Sequence, residues 1–323
     1  MQQDGKVKLG SEMEVAPLGV GAWAWGTRYL WGYGSSYGRE DAEAALRASL
    51  ESGVELVDTA EIYGNGASER IIGEVLRSGE LPRRPVIATK FAPLPHRLDP
   101  RALLRALDGS LRRLGVESVD LYQVHFPSPL LKVESLMDAL AEAVKEGKAR
   151  AVGVSNYGAS QMRRAYERLA HHGVPLASNQ VRYNLLDRSP EYNGVLDACR
   201  ELGVTLIAYS PLAQGLLTGK YRPGVRPSGL VRRFDRRFSP RGLTRIEPVV
   251  SALERIAEKR GKTPSQVALN WLVTQRDVLA IPGAKNGEQA RQNAGALGWS
   301  LSPEEVGELD QITSVLRTRV RSG

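Results

Sequence analysis

Cysteine is nearly absent: Cys199 stands alone among 323 residues, so no disulfide can form within the chain. That fits a reducing compartment. The four histidines include the adjacent pair His171-His172. Neighbouring residues on a helix point apart, so no metal site is expected from that pair. No apolar run approaches the roughly 20 residues that span a bilayer. Met1-Gln2-Gln3-Asp4-Gly5-Lys6 lacks the apolar core of a signal peptide. The expectation is a cytoplasmic protein without a membrane partner. Two phosphate-binding patterns are also missing. Gly32-x-Gly34-x-x-x-Gly38 has the wrong spacing and context for a dinucleotide-binding Rossmann turn. Gly215-Leu216-Leu217-Thr218-Gly219-Lys220 is one residue short of a Walker loop and lacks its hydroxyl residue.

The composition present is that of a soluble globular chain, 42% hydrophobic and 25% charged. The net charge of +8 is lopsided, because Arg226 to Arg245 holds seven arginines against one acid, Asp235. Pro227, Gly229, Pro240 and Gly242 make that stretch read as a mobile loop, poised to close over an anionic ligand. No aromatic stacking series accompanies it, so a solvated loop is expected rather than a nucleic-acid partner.

Apolar runs alternate with amphipathic helical stretches about eight times, the pattern of βα units. Val7–Gly10 and Glu14–Pro17 flank a turn and suggest a hairpin at the bottom of a barrel. The eight strands are expected at Leu18–Gly21, Glu55–Thr59, Val86–Thr89, Val119–Val124, Ala149–Val154, Ala177–Val181, Val204–Tyr209 and Val278–Ile281. Among the helices, Arg39–Ser52 carries Ala42, Ala45, Leu46 and Leu50 on one face. Asp99-Pro100 and Thr263-Pro264 each give a cap followed by a first-turn proline. Ser302-Pro303-Glu304-Glu305 starts one further helix, with Glu305 at the capping-box position. No linker interrupts this order, so residues 1–323 read as one domain.

Ionisable residues stop several of these strands. Asp58 and Tyr63 lie in Val57-Asp58-Thr59-Ala60-Glu61-Ile62-Tyr63-Gly64, Lys90 ends Val86-Ile87-Ala88-Thr89-Lys90, and His125 follows Asp120-Leu121-Tyr122-Gln123-Val124. Brought together, they can protonate a carbonyl: a cation beside a phenol favours the phenolate, and a carboxylate holds the cation. A lysine at the end of an apolar run needs a partner, because a buried ammonium is costly alone.

In these residues the chain resembles the aldo-keto reductases, in particular their bacterial and plastid open-chain branches. Asp58-Thr59-Ala60-x-x-Tyr63-Gly64 with Ser68-Glu69, then Lys90, then His125, follow that family's order from about Lys8 to the last helix. The resemblance implies an α/β fold, a (β/α)8 TIM barrel with an N-terminal β-hairpin and an extra C-terminal helix. It implies an NAD(P)H-dependent oxidoreductase in which Tyr63 is the general acid. Lys90 would favour the phenolate, Asp58 would fix Lys90, and His125 would bond the carbonyl oxygen or share the proton.

The resemblance also implies the cofactor contacts. Ser155, Asn156 and Gln180 would hold the nicotinamide carboxamide, and Tyr209 would stack on the ring. Ser210, Pro211, Leu212, Gln214, Gly215 and Leu216 would clasp the pyrophosphate. Ala22, Trp23 and Asp58 would border the same site. Gly283, Ala284, Lys285, Gln289, Gln292 and Asn293 correspond to the segment that grips the adenosine 2′-phosphate and the adenine. Here the chain departs from the better-known pattern, which has Lys-Ser after the proline, then Arg, then Glu-Asn. Lys285 stands in as a cation near a helix start. NADP(H) is expected, with NAD(H) left open.

Trp23, with Trp25, Tyr29 and Trp31 in the same loop, would form an apolar wall for a small-molecule carbonyl substrate. Three alternatives stand beside aldehyde or ketone reduction. They are a pyridoxal or sugar-aldehyde reductase, a cofactor-sensing regulatory subunit of the same fold, and nucleic-acid binding through the basic stretch.

Overall fold

The computed structural model describes residues 5–27, 31–78, 81–222, 224, 232 and 235–318. Tyr29 and most of the stretch 226–234 lie outside the described residues. A two-stranded antiparallel hairpin, β1 (Val7–Leu9) and β2 (Met13–Val15), comes first. Eight parallel strands follow in sequential order: β3 (Gly19–Gly21), β4 (Leu56–Asp58), β5 (Val86–Phe91), β6 (Val119–Val124), β7 (Ala149–Ser155), β8 (Leu176–Arg182), β9 (Thr205–Tyr209) and β10 (Val278–Ile281). Parallel bridges between Leu18 and Ala280 and between Gly21 and Gly283 bring β10 back to β3. This is the expected (β/α)8 barrel, with each expected strand within two residues of its observed ends.

Around the sheet run α1 (Arg39–Glu51), α2 (Ala67–Ser78), α3 (Ala102–Leu114), α4 (Val133–Lys145), α5 (Ala159–Ala170), α6 (Val195–Leu202), α7 (Pro240–Arg260), α8 (Pro264–Val273), α9 (Gly287–Ala294) and α10 (Pro303–Thr318). None of the described helices is long and apolar enough to cross a membrane. Thr263 caps α8 with Gln266 reciprocating, as its sequence predicts. Ser302 and Glu305 form the expected capping box at α10, the helix beyond the last strand.

One expectation shifts and one is corrected. The helix expected from Asp99-Pro100 begins two residues later, at Ala102; Asp99 Oδ1 accepts from the Arg101 N–H at 2.9 Å in the turn that leads into α3. Residues 236–245 are not loop. Arg236–Phe238 forms a 3-10 turn and α7 starts at Pro240. The reason is chemical: Ser239 caps the helix by accepting from the Gly242 N–H, and Pro240 takes the first-turn position. Gly242 serves packing there, since a Cβ would sit 2.4 Å from the Arg237 carbonyl oxygen.

Alternation along each strand separates two cores. Leu56, Ala88, Leu121, Ala151, Ile207 and Leu279 fill the barrel interior with Val7, Leu9 and Val15 of the hairpin. The hairpin therefore plugs the barrel. The larger core lies between sheet and helices. Stepping by two along the inward face takes Leu56 to Asp58 and Ala88 to Lys90. The apolar interior thus gives way to charge at the C-terminal ends of the strands, where active sites of such barrels lie.

Helix α2 packs unusually close to the end of α3 because Gly73 has no side chain. A Cβ there would lie 2.4 Å from the Arg113 carbonyl oxygen and 2.7 Å from that of Leu114. Backbone cannot step aside cheaply, so Gly73→Ala should destabilise by about 1–3 kcal/mol. Thermal unfolding checks this, and an unshifted midpoint would contradict the close approach.

Candidate active site

Lys90 is buried at the centre of the site. Its ammonium donates to Asp58 Oδ1 at 2.5 Å, to the Thr59 carbonyl at 2.8 Å and to Tyr63 Oη at 3.4 Å. Three donors thus meet three acceptors. The second Asp58 oxygen accepts from Gln180 Nε2 at 2.8 Å. Tyr63 and His125 meet edge to face with ring centroids 5.6 Å apart. The four residues, from the ends of three strands, are brought together.

Burial dominates the electrostatics. It pushes the Tyr63 phenol above its ordinary range; Lys90 pulls the other way and does not overcome it. The pull of Lys90 toward the phenolate is present as expected, and desolvation outweighs it. Burial lowers Lys90, but the Asp58 carboxylate and Tyr63 lift it above its usual value, so it stays an ammonium. Burial, with Lys90 second, depresses His125 to about 3. His125 is therefore a neutral ring, and its buried Nδ1 has no hydrogen-bond partner among the described residues.

The outward faces of the same strands anchor this set. Thr59 donates to Ser68 Oγ at 2.8 Å, and Ser68 donates to the Ala22 carbonyl at 3.0 Å. Thr89 donates to the buried Glu69 at 2.6 Å, whose other oxygen accepts from Arg113 Nε at 2.6 Å. Ser68 and Glu69 thus tie the strand ends to helix α2. The available signal was a threonine beside each charged residue, on the opposite strand face.

The residues expected around a nicotinamide form one connected rim. Ser155 donates to the Gln180 carbonyl at 2.8 Å, and Asn156 Nδ2 to the His125 carbonyl at 3.1 Å. Tyr209 donates to Asn156 Oδ1 at 3.0 Å, with the Arg182 guanidinium 5.8 Å from its ring centroid. Trp23 is 38% exposed, and its ring centroid lies 6.3 Å from that of Tyr63 and 5.2 Å from that of Trp31. Ala22 is fully buried. Trp25 is buried too and donates to the Ala284 carbonyl at 2.8 Å, so it braces the rim instead of lining it.

After β9, Ser210, Pro211 and Leu212 lead into a turn over Ala213–Thr218 that includes Gln214, Gly215 and Leu216. Ser210, Ala213 and Gln214 have φ of 51°, 47° and 59°, and Asn156 has 61°. Non-glycine residues in this region are strained and gather where ligands are held. Gly283 lies beside Gly21 and accepts from Asn293 Nδ2 at 3.2 Å. Gln289 Oε1 accepts from the Lys285 N–H at 3.0 Å, while Gln292 gives its carbonyl to Gln266.

Lys285 Nζ donates to the Trp31 carbonyl at 2.7 Å and lies 4.4 Å from the Tyr37 ring centroid. Arg232 lies over Trp31 at 5.2 Å and over Tyr221 at 5.6 Å, and donates to the Gln214 carbonyl. Burial lowers Lys285, and the nearby charges of Arg232 and Lys220 lower it further. These cations crowd one place, which is a setting for an anionic ligand. Arg232 belongs to the stretch expected to close over an anionic ligand, and the fold brings it and Lys220 to Lys285.

The sequence pattern described as the Aldo/keto reductase family matches residues 17–314. The chloroplastic pyridoxal reductase of Arabidopsis thaliana is 40% identical over 317 residues, covering 94% of this chain and 85% of that protein. An aldo-keto reductase of Strobilurus tenacellus is 36% identical over 286 residues, covering 87% and 83%. Among solved structures, a glycerol dehydrogenase from Gluconobacter oxydans superposes with a TM-score of 0.85 at 29% identity, covering 97% of this chain and 96% of that one. An aldo-keto reductase from Klebsiella pneumoniae, solved in complex with NADPH, gives 0.76 at 32% identity, covering 95% and 94%. By sequence along nearly its whole length and by fold, this chain belongs to the aldo/keto reductase family.

Proposed function

We propose that this chain is an NADP-dependent oxidoreductase that reduces aldehydes or ketones to alcohols, with Tyr63 as the proton donor. One observation carries the reading: Tyr63 Oη lies 3.4 Å from the Lys90 ammonium, whose other two protons are taken by Asp58 and the Thr59 carbonyl. NADPH, when bound, supplies the hydride. Tyr63 gives its proton to the carbonyl oxygen, and Lys90 stabilises the phenolate that remains. His125, neutral by burial, orients that oxygen by hydrogen bonding and carries no proton charge of its own.

The cofactor contacts follow the rim. Ser155, Asn156 and Gln180 supply the hydroxyl and amides for a carboxamide. Tyr209 would offer its ring to the nicotinamide. The strained turn through Gln214 and Gly215 offers backbone N–H groups to a pyrophosphate. Lys285, with Arg232 and Lys220 near it, would hold the 2′-phosphate. Trp23 gives the substrate an apolar wall. The 40% identity to a pyridoxal reductase favours pyridoxal as one aldehyde to include among the substrates. A cytosolic setting is consistent with Cys199 as a single, buried free cysteine.

Tyr63→Phe should lower kcat by about 10²–10⁴-fold while leaving NADPH affinity near the parent's, because the phenol acts only in the chemical step. Steady-state rates and fluorescence titration of NADPH test both halves. A variant keeping most of the parent kcat would remove Tyr63 as the acid. Because burial, with Lys90 second, pushes His125 down to about 3, the reduction rate should show no inflection between about pH 5 and 8. A break near pH 6.5, the ordinary histidine value, that vanishes in His125→Asn would assign His125 the proton instead. Lys285→Ala should weaken NADPH by about 1.5–3 kcal/mol and NADH far less, since only NADPH presents the extra phosphate. Equal weakening of both cofactors would place the 2′-phosphate elsewhere.

A further inference from the structure

Glu61 stands just before Tyr63 in the turn after β4, and Arg97 lies in the loop after β5, beyond Lys90. Their ion pair joins the two segments that carry the phenol and the ammonium. Arg97 Nη1 and Nη2 engage the two Glu61 oxygens, the second at 3.1 Å. Glu61 Oε1 also accepts from the Ala92 N–H at 2.8 Å, and Arg97 Nη1 donates to the Ala92 carbonyl at 3.0 Å. The Arg97 guanidinium lies 5.2 Å from the Phe91 ring centroid. The Glu61 N–H reaches the Lys90 carbonyl at 3.4 Å. Glu61 is buried, so water competes little for these bonds.

We propose that Arg97 and Glu61 are positioning residues for Tyr63, an inference that rests on the reading of Tyr63 as the acid. Neither reaches the reacting atoms. They lock the Tyr63 turn onto Phe91-Ala92, and so hold the phenol oxygen within reach of Lys90. The contact between Tyr63 and Lys90 is the longest of the three made by the ammonium, hence the one most easily lost if the turn shifts. With the clamp removed, the phenol moves away from the cation. Misplacement by about an ångström costs roughly 10²-fold in rate, and the weaker cation contact raises the pH at which the phenolate forms.

The clamp faces an external cleft of about 600 Å³ that Glu61, Arg97, His96 and Arg105 help to line. A guanidinium ion can therefore enter from solvent when the Arg97 side chain is cut away. The test uses Arg97→Ala, Arg97→Lys and Glu61→Gln in the full chain, with Tyr63→Phe as the control. In the direction of alcohol oxidation, where Tyr63 must accept the proton, the rate rises with pH as the phenolate forms. Arg97→Ala should lose roughly 10- to 100-fold in kcat, move that alkaline limb to higher pH, and keep NADPH affinity by fluorescence titration close to the parent's. Added guanidinium should restore the limb and much of kcat, and Arg97→Lys should fall between. If Arg97→Ala does not fold, Glu61→Gln must show the same movement of the limb. An unmoved limb in whichever variant folds, whether kcat falls or not, would reduce the clamp to a structural tie and overturn the proposal. An active Tyr63→Phe would sink the acid assignment itself, whereas an inactive Tyr63→Phe beside an unmoved limb would sink the clamp alone.

Discussion

An ammonium ion enclosed by protein is the constraint on which this site rests. Lys90 is fully buried, and a buried charge without partners is costly enough that a chain avoids it or neutralises it. The barrel solves the problem by spending the last inward position of one strand, Asp58, on the last inward charge of the next, Lys90. Removing one member of such a pair typically costs about 3–5 kcal/mol, because the other is left stranded. The remaining two protons of the ammonium fix the Thr59 carbonyl and the Tyr63 hydroxyl. The phenol is therefore placed by the same need that keeps Lys90 folded inside.

The surrounding polar groups extend that solution without adding exposed charge. Gln180 occupies the free Asp58 oxygen from across the barrel. On the outer face, Thr59 and Thr89 reach Ser68 and Glu69, and Arg113 neutralises Glu69. Each strand that presents a charged residue inward is thus tied to helix α2 by its neighbouring threonine. Glu61 and Arg97 close the remaining gap at the rim.

The electrostatic outcome is a division of labour. Burial keeps Tyr63 protonated and His125 neutral, while Asp58 keeps Lys90 charged. At neutral pH the phenol therefore keeps its proton, the ammonium keeps its charge and the imidazole carries none. Further out, Lys285 and Arg232 stand on aromatic rings and repel one another, a state that an anionic ligand would relieve.

Strand order, the hairpin and the residues that gather at the barrel mouth were legible in the chain itself. Period-two and helical patterning set which residues face inward, and a lysine closing an apolar run demands a carboxylate nearby. The cap signals were less dependable. Thr263-Pro264 started its helix, Asp99-Pro100 made the turn that leads into one, and Ser239-Pro240 started a helix inside a stretch whose glycine, prolines and arginines suggested a loop. Local signals of that kind are weak, and the packing around them decides. Tertiary structure alone decided that Gln180 would meet Asp58, that Arg97 would meet Glu61, and that Arg232 would come to Lys285. It also decided the sign of the Tyr63 shift, because desolvation depends on how completely the fold encloses a group, a quantity that no residue carries by itself.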